Sequence, residues 1–201
     1  MDLSEPPSVA DQPPIMLADY LTSMQTKTFS KLSAIELADF QIPGRELHSR
    51  HDYVDGFEES GPAGRFHFED ASTLRTRWSA LRVADVTRVL KDKRLRGEKG
   101  GDVAKLFAKH FKVEEHVAYL RRTKIAAAVG TPGRLGKLLC DTSALSTSAL
   151  THIILDVSHR DTKKRCVLDI PETRDEVFKT VLGAPKVLKG LKQGTIQLVL
   201  L

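Results

Sequence analysis

The sequence predicts an α/β fold with a parallel sheet, and three observations carry that expectation. Apolar runs of strand length occur at 124–129, 152–157 and 195–201. Helical spacing marks the stretches between them, Arg134–Leu139 and Glu172–Leu182. Strands that alternate with helices pair in parallel, because each crossover must travel back along the sheet. No internal repeat is visible.

In chain order, residues 1–14 hold four of the nine prolines and little apolar content, so they read as extended or disordered. Leu17, Tyr20, Leu21 and Met24 then recur at helical spacing. A second such group, Leu32, Ile35, Leu37 and Phe40, follows Ser30 or Ser33 as N-cap, and Pro43-Gly44 ends it. These amphipathic pieces suit docking, either on the chain's own domain or on a partner. Residues 44–70 are polar and broken by Gly56, Gly61, Pro62 and Gly64, the pattern of a linker. Compact order is expected from about residue 70, giving an acidic extension and linker at 1–69 and a lobe at 70–201.

Within the lobe, Leu81, Ala84, Val86, Val89 and Leu90 place a helix over Ala80–Leu95. Val103, Leu106, Phe107, Ala108 and Phe111 suggest another. Lys124–Val129 reads as a buried strand closed by Gly130 and Pro132, followed by a short helix over Arg134–Leu139. His152–Val157 is a second strand, Glu172–Leu182 a helix with Val177, Phe178, Val181 and Leu182 on one face, and Thr195–Leu201 a third strand. One stretch departs from the pattern. Such a lobe should open with an apolar strand, yet Asp70–Trp78 is too polar for a central one and suits an edge.

Composition narrows the function. The chain of 201 residues carries 31 Lys+Arg against 26 Asp+Glu, a net charge of +5. That total hides an asymmetry: residues 1–70 hold 13 acidic and 5 basic side chains, whereas 71–201 hold 13 acidic and 26 basic. A basic lobe behind an acidic leader points to a polyanion such as nucleic acid, or to a basic surface that serves solubility alone. Two cysteines, Cys140 and Cys166, exclude a disulfide scaffold and suit a reducing compartment. No apolar run reaches the roughly 18–20 residues of a membrane span, and the acidic, Pro-rich N-terminus is unlike a secretory signal.

The most informative segment is Gly130-Thr131-Pro132-Gly133-Arg134-Leu135-Gly136-Lys137, at the end of a strand and the start of a helix. It is not a phosphate-binding P-loop. Five residues separate Gly130 from Gly136 where four are needed, and Leu138 stands in place of the magnesium-holding hydroxyl. It does match the Thr-Pro-Gly-Arg motif with which DEAD-box helicases grip RNA backbone. Free N–H groups at the turn and a guanidinium suit a phosphate. Ser79-Ala80-Leu81-Arg82 lies where those proteins carry a second RNA-backbone loop, which assigns Ser79 and Arg82 to the same contact set. Their Asp-Glu-Ala-Asp tetrad is reduced here to Asp156-Val157-Ser158-His159, without the general base.

Together these segments resemble the Cms family of ribosomal small-subunit proteins. The likeness covers roughly 15–43 and 79–182 and runs through Leu17–Leu21, Leu32–Leu37, Ser79–Val86, His116–Leu139 and Ile154–Arg165. It implies a RecA-like lobe, related to DEAD-box helicases but lacking the ATPase motifs, with a partly helical N-terminal tail. It implies a nucleolar, hence nuclear, ribonucleoprotein role: a non-catalytic factor of rRNA processing in the 90S pre-ribosome, or small-subunit processome. The implied partners are pre-ribosomal RNA, snoRNP and processome assembly factors, with the chain a monomer inside a large particle and no membrane contact. RNA would be held by Thr131, Pro132, Gly133, Arg134, Ser79 and Arg82. The clusters Lys91, Lys93, Arg94, Arg96 and Lys163, Lys164, Arg165 read as a basic patch for a polyanion, or as solvated surface or a nuclear-import signal. Leu17, Tyr20, Leu21, Leu32, Ile35, Leu37 and Phe40 would dock the leader.

Two rival classes remain open: a divergent ATP-dependent RNA helicase or ATPase, and a protein-interaction scaffold that never touches RNA. The sequence implies no cofactor and no metal. His110, His116, His152 and His159 lack zinc-ligand spacing, and His48-Ser49-Arg50-His51-Asp52 holds the residue types of a hydrolase triad inside a polar stretch.

Overall fold

The computed structural model describes residues 9, 12–44, 47–48, 72–76, 83–84, 87–88, 90–91, 101–109 and 111–201. Its centre is a six-stranded sheet in which every pairing is parallel. The strands are β1 (Leu47–His48), β2 (Ser72–Thr76), β3 (Asp102–Leu106), β4 (Ile125–Gly130), β5 (Leu150–Leu155) and β6 (Gln197–Leu200), in the order β1-β6-β5-β2-β4-β3. The helices are α1 (Pro14–Thr28), α2 (Ala34–Ala38), α3 (Val113–Arg122), α4 (Pro132–Gly136), α5 (Pro171–Asp175) and α6 (Pro185–Gln193). Helices α4 and α5 each run on into a wider π-helical turn, at Lys137–Asp141 and Glu176–Val181.

The strands at 125–130, 150–155 and 197–200 stand where the apolar runs placed them. Two expectations are corrected. The polar stretch before residue 78 is not an edge. Strand β2 lies between β4 and β5, with Leu74 opposite Ala128 on one side and Ile153 on the other. A parallel ladder is made by the backbone, and three of these five residues are Ser or Thr (Ser72, Thr73, Thr76). Threonine's branched Cβ suits the pleat.

The second correction is β3. Val103, Leu106 and Phe107 have helical spacing, but 102–106 pairs with β4 as the edge strand. Both faces of the sheet are covered there. Val103 packs with Val83, Leu90, Ala127 and Val129, while Ala104 and Leu106 join the main core on the opposite face. A strand buried on both faces loses its alternation and imitates a helix.

Prolines open four of the helices: Pro14, Pro132, Pro171 and Pro185. A fixed φ and a missing N–H cost nothing at a helix's first turn. Of the two serines proposed as N-cap, Ser33 serves α2, in a reciprocal capping box with Glu36. Helix α6 ends on Gly194 at φ 73°, a left-handed conformation that favours glycine. Helices α3 and α6 were not singled out as elements by spacing. Their short lengths, 10 and 9 residues, give few turns over which a period can show.

The leader's apolar residues divide. Leu17, Leu21, Met24, Ile42 and Leu47 belong to the main core with Ile153, Leu155 and Leu198, so packed order reaches well upstream of residue 70. The stretch read as a linker contributes β1, paired to β6 through Leu47 and Leu198. Tyr20 is half-buried with its hydroxyl 3.5 Å from the Cys166 thiol, and Phe40 stacks on Phe29 at 4.8 Å. Leu32 and Leu37 are half-buried, and Ile35 is 83% exposed. In the expected 80–95 helix, Val83, Ala84, Thr87, Arg88 and Leu90 are helical, Lys91 is in a turn, and the rest lies outside the described residues.

Candidate nucleic-acid interface

In a parallel sheet every strand points the same way, so the loops after β3, β4 and β5 leave from one edge. Ligands of open α/β sheets bind at that carboxyl edge. Here it carries Phe107–Lys112 after β3, Thr131–Arg134 after β4 and Asp156–Arg165 after β5.

The β4 turn is built by close contacts. The Thr131 N–H donates to the Leu106 carbonyl at 3.1 Å, tying the turn to β3. A Cβ on Gly130 would collide with that same carbonyl and with Leu135. One on Gly136 would collide with the Thr180 side chain, so α4 lies directly against the helix that follows α5. The Glu176 carboxylate lies against the Gly133 backbone, which favours its charged form. Burial still raises Glu176 above the usual carboxylate range, outweighing the Gly133 backbone and the Lys137 charge. A cleft of about 420 Å³ opens here, lined by Thr131, Gly133, Lys137, Cys140, Glu176 and Thr180 among others.

Arg134 is placed otherwise than an outward phosphate contact would be. Its side chain is buried at 7% exposure. One guanidinium nitrogen lies 3.0 Å from His116 Nδ1, and the other donates to the Phe111 carbonyl at 2.8 Å. A guanidinium only donates, so His116 accepts at Nδ1 and is neutral, with its proton on Nε2. Burial, with the Arg134 charge, holds His116 below the usual histidine range. Helix α3, which carries His116, starts at a second bracing point, where the Lys112 N–H donates to the Glu115 carboxylate at 2.7 Å. Phe111 is 45% exposed; its ring lies 5.4 Å from His116 and 6.0 Å edge-on from Phe107. Spacing grouped Phe111 with Val103 and Leu106 as one helical face. Glu114 and Glu115 in the first turn, with Arg121 and Arg122 in the last, were the available sign that a helix spans Val113–Arg122.

After β5, Asp156 is buried and anchors a turn. Its Oδ1 accepts from the Ser158 hydroxyl at 2.7 Å, from the Ser158 N–H at 3.2 Å and from the His159 N–H at 3.3 Å. Val157 is buried, and its N–H and that of Ser158 both donate to the Leu201 carbonyl at 2.8 Å. Further on, Asp161 organises the basic loop. Its carboxylate accepts from the N–H groups of Lys163 and Arg165, each at 2.8 Å, and pairs with the Arg165 guanidinium at 2.9 Å. These contacts hold Asp161 below the usual carboxylate range. Lys163 and Lys164 stay exposed, the latter at φ 58°.

Of the remaining candidates, Lys91 is exposed, while Ser79, Arg82, Lys93, Arg94 and Arg96 lie outside the described residues. So do Ser49, Arg50, His51 and Asp52 of the triad-like stretch.

Fold and site define a class: a parallel α/β lobe that offers a braced, lysine-bearing carboxyl edge, in a sequence without a P-loop. Residues 69–201 match the family model described as CMS1, U3-containing 90S pre-ribosomal complex subunit, and the chain belongs to that family of ribosome-biogenesis proteins. It is 35% identical over 184 residues to Protein CMS1 of Chaetomium thermophilum, covering 84% of this chain and 72% of that one. It is 32% identical over 187 residues to Protein cms1 of Schizosaccharomyces pombe, covering 85% and 66%. With Protein CMSS1 of Homo sapiens it shares 42% identity over 101 residues, covering 50% and 34%. Across these relatives the matched region spans from about a third to nearly three-quarters of their length.

Proposed function

We propose that the chain is a non-catalytic factor of the 90S pre-ribosome that holds pre-ribosomal RNA on one edge of a RecA-like lobe. Membership of a family described as a 90S pre-ribosomal complex subunit carries this reading. The class of partner follows from charge. Residues 71–201 hold 26 basic against 13 acidic side chains, and the loops of the carboxyl edge carry exposed Lys109, Lys112, Lys163 and Lys164, with Lys137 in the cleft beside the Thr131–Arg134 turn. The apolar Val157 stands in the general-base position of the helicase tetrad, which supports binding without turnover. Residues 1–69 would engage snoRNP and processome factors, with exposed Met16 and Ile35 as contacts. The chain would act as a monomer inside a large nucleolar particle.

The test is direct titration of the purified chain against a short single-stranded RNA at several salt concentrations, with ATP turnover measured alongside. Phosphate contacts predict that log affinity falls by about 0.7 per contact for each log unit of salt. No association at low salt overturns the RNA reading. RNA-stimulated ATP hydrolysis overturns the non-catalytic one.

A further inference from the structure

We propose that Phe111 is a stacking platform for a nucleobase of single-stranded RNA, placed at the carboxyl edge by Arg134. The inference rests on the RNA reading above and names how that edge would tell bases from backbone.

Four observations carry it. Phe111 is 45% exposed, yet its ring is not loose: His116 lies 5.4 Å from it at a 31° tilt and Phe107 meets it edge-on at 6.0 Å. Its backbone is pinned from below, since the buried Arg134 donates to the Phe111 carbonyl at 2.8 Å. An aromatic ring held in place before binding loses little freedom when a partner covers it. The segment that carries the ring is cationic: Lys105, Lys109 and Lys112 are all exposed, and no acidic residue stands between Asp102 and Glu114 in sequence. Of the glutamates beyond, Glu115 is engaged by the Lys112 N–H, and Glu114 is exposed on the first turn of α3.

An aromatic that is exposed alone among the described residues, with lysines on either side in sequence, is a poor seat for an apolar protein helix, which needs a contiguous apolar face. It is the arrangement that single-stranded nucleic acid uses, with bases on aromatic rings and phosphates along cations. The Arg134 side chain then serves as a positioning group for the ring rather than as the phosphate contact itself.

The experiment titrates the full chain with a fluorescent single-stranded oligoribonucleotide and with its abasic counterpart, which keeps the phosphates and lacks the bases. Phe111→Ala should weaken binding to the normal strand about tenfold, equivalent to about 1.4 kcal/mol of stacking. Its salt slope should be unchanged, because no phosphate contact is lost. Its affinity for the abasic strand should equal that of the unaltered chain. Phe111→Tyr should restore affinity for the normal strand, and a matching urea midpoint shows that the Ala variant is folded. Equal affinity of Phe111→Ala and the unaltered chain for the normal strand overturns the platform and leaves the RNA reading standing. Failure of the unaltered chain to bind either strand overturns both. Loss of a protein neighbour from the particle, with RNA affinity intact, assigns Phe111 to a protein contact and likewise overturns it.

Discussion

Replacing Arg134 by alanine separates the two roles a guanidinium can have in this turn. The side chain is buried and makes two hydrogen bonds, to His116 Nδ1 at 3.0 Å and to the Phe111 carbonyl at 2.8 Å. Hydrogen bonds from a charged donor contribute about 1.5–3 kcal/mol each. Removing the charge also relieves the cost of keeping a guanidinium out of water, which offsets part of that loss. The expected net destabilisation is therefore about 2–3 kcal/mol. For a chain of 201 residues, each kcal/mol moves the melting temperature by roughly 2–4 °C. Arg134→Ala should thus melt about 4–12 °C lower, read by circular dichroism and confirmed by a lower urea midpoint. Arg134→Lys should recover half of the loss or less, because an ammonium lacks the fork that reaches both acceptors. An outward phosphate contact gives the opposite signature. Its removal would shift stability by no more than about 0.5 kcal/mol and would cut RNA affinity alone. That result would refute the buried role assigned to Arg134.

Leu17→Ala tests whether the leader helix is part of the lobe: Leu17 is fully buried, so truncation should cost about 2–5 kcal/mol in urea denaturation, and a loss within about 0.5 kcal/mol would mean that α1 does not pack on the sheet. Acid should weaken the fold through two histidines. Burial holds both His116 and His152 below the ordinary histidine value of 6.5, so as pH falls the unfolded chain takes up these protons first. The stability they allow is complete above 6.5 and is lost as pH drops through that value towards the folded ones. The urea midpoint should fall between about pH 7.5 and pH 5.5; His116→Gln should flatten the decline, and a level profile in the unaltered chain would contradict it.

What could be read from residue types and what could not follow one physical distinction. Strands β4, β5 and β6 announced themselves because a strand buried on both faces is a bounded apolar run, and each of these is closed by a glycine, a proline or a polar turn. Strand β3 interrupts its apolar residues with the exposed Lys105 and runs into Phe107 and Ala108, so its spacing imitated a helix. Strand β2 was hidden for the opposite reason. What makes it central is backbone pairing to Ala127–Gly130 and to Leu150–Leu155, and the backbone leaves no apolar trace. The Thr-Pro-Gly-Arg segment was legible as a strand-to-helix turn because Gly130, Pro132 and Gly136 are dictated by local sterics. The direction of Arg134 was not. A guanidinium is taken by whichever acceptor reaches it first, and here the acceptors come from 18 and 23 residues upstream. They are a neutral imidazole and a carbonyl that no spacing rule connects to the turn. With that fork engaged, the exposed cations among the described residues at this edge include Lys109, Lys112, Lys137, Lys163 and Lys164. The turn motif then acts at one remove, by fixing α3 and the exposed ring before it. Any loss of RNA affinity on altering Arg134 should therefore come with a loss of stability, whereas a loss on altering Phe111 should not.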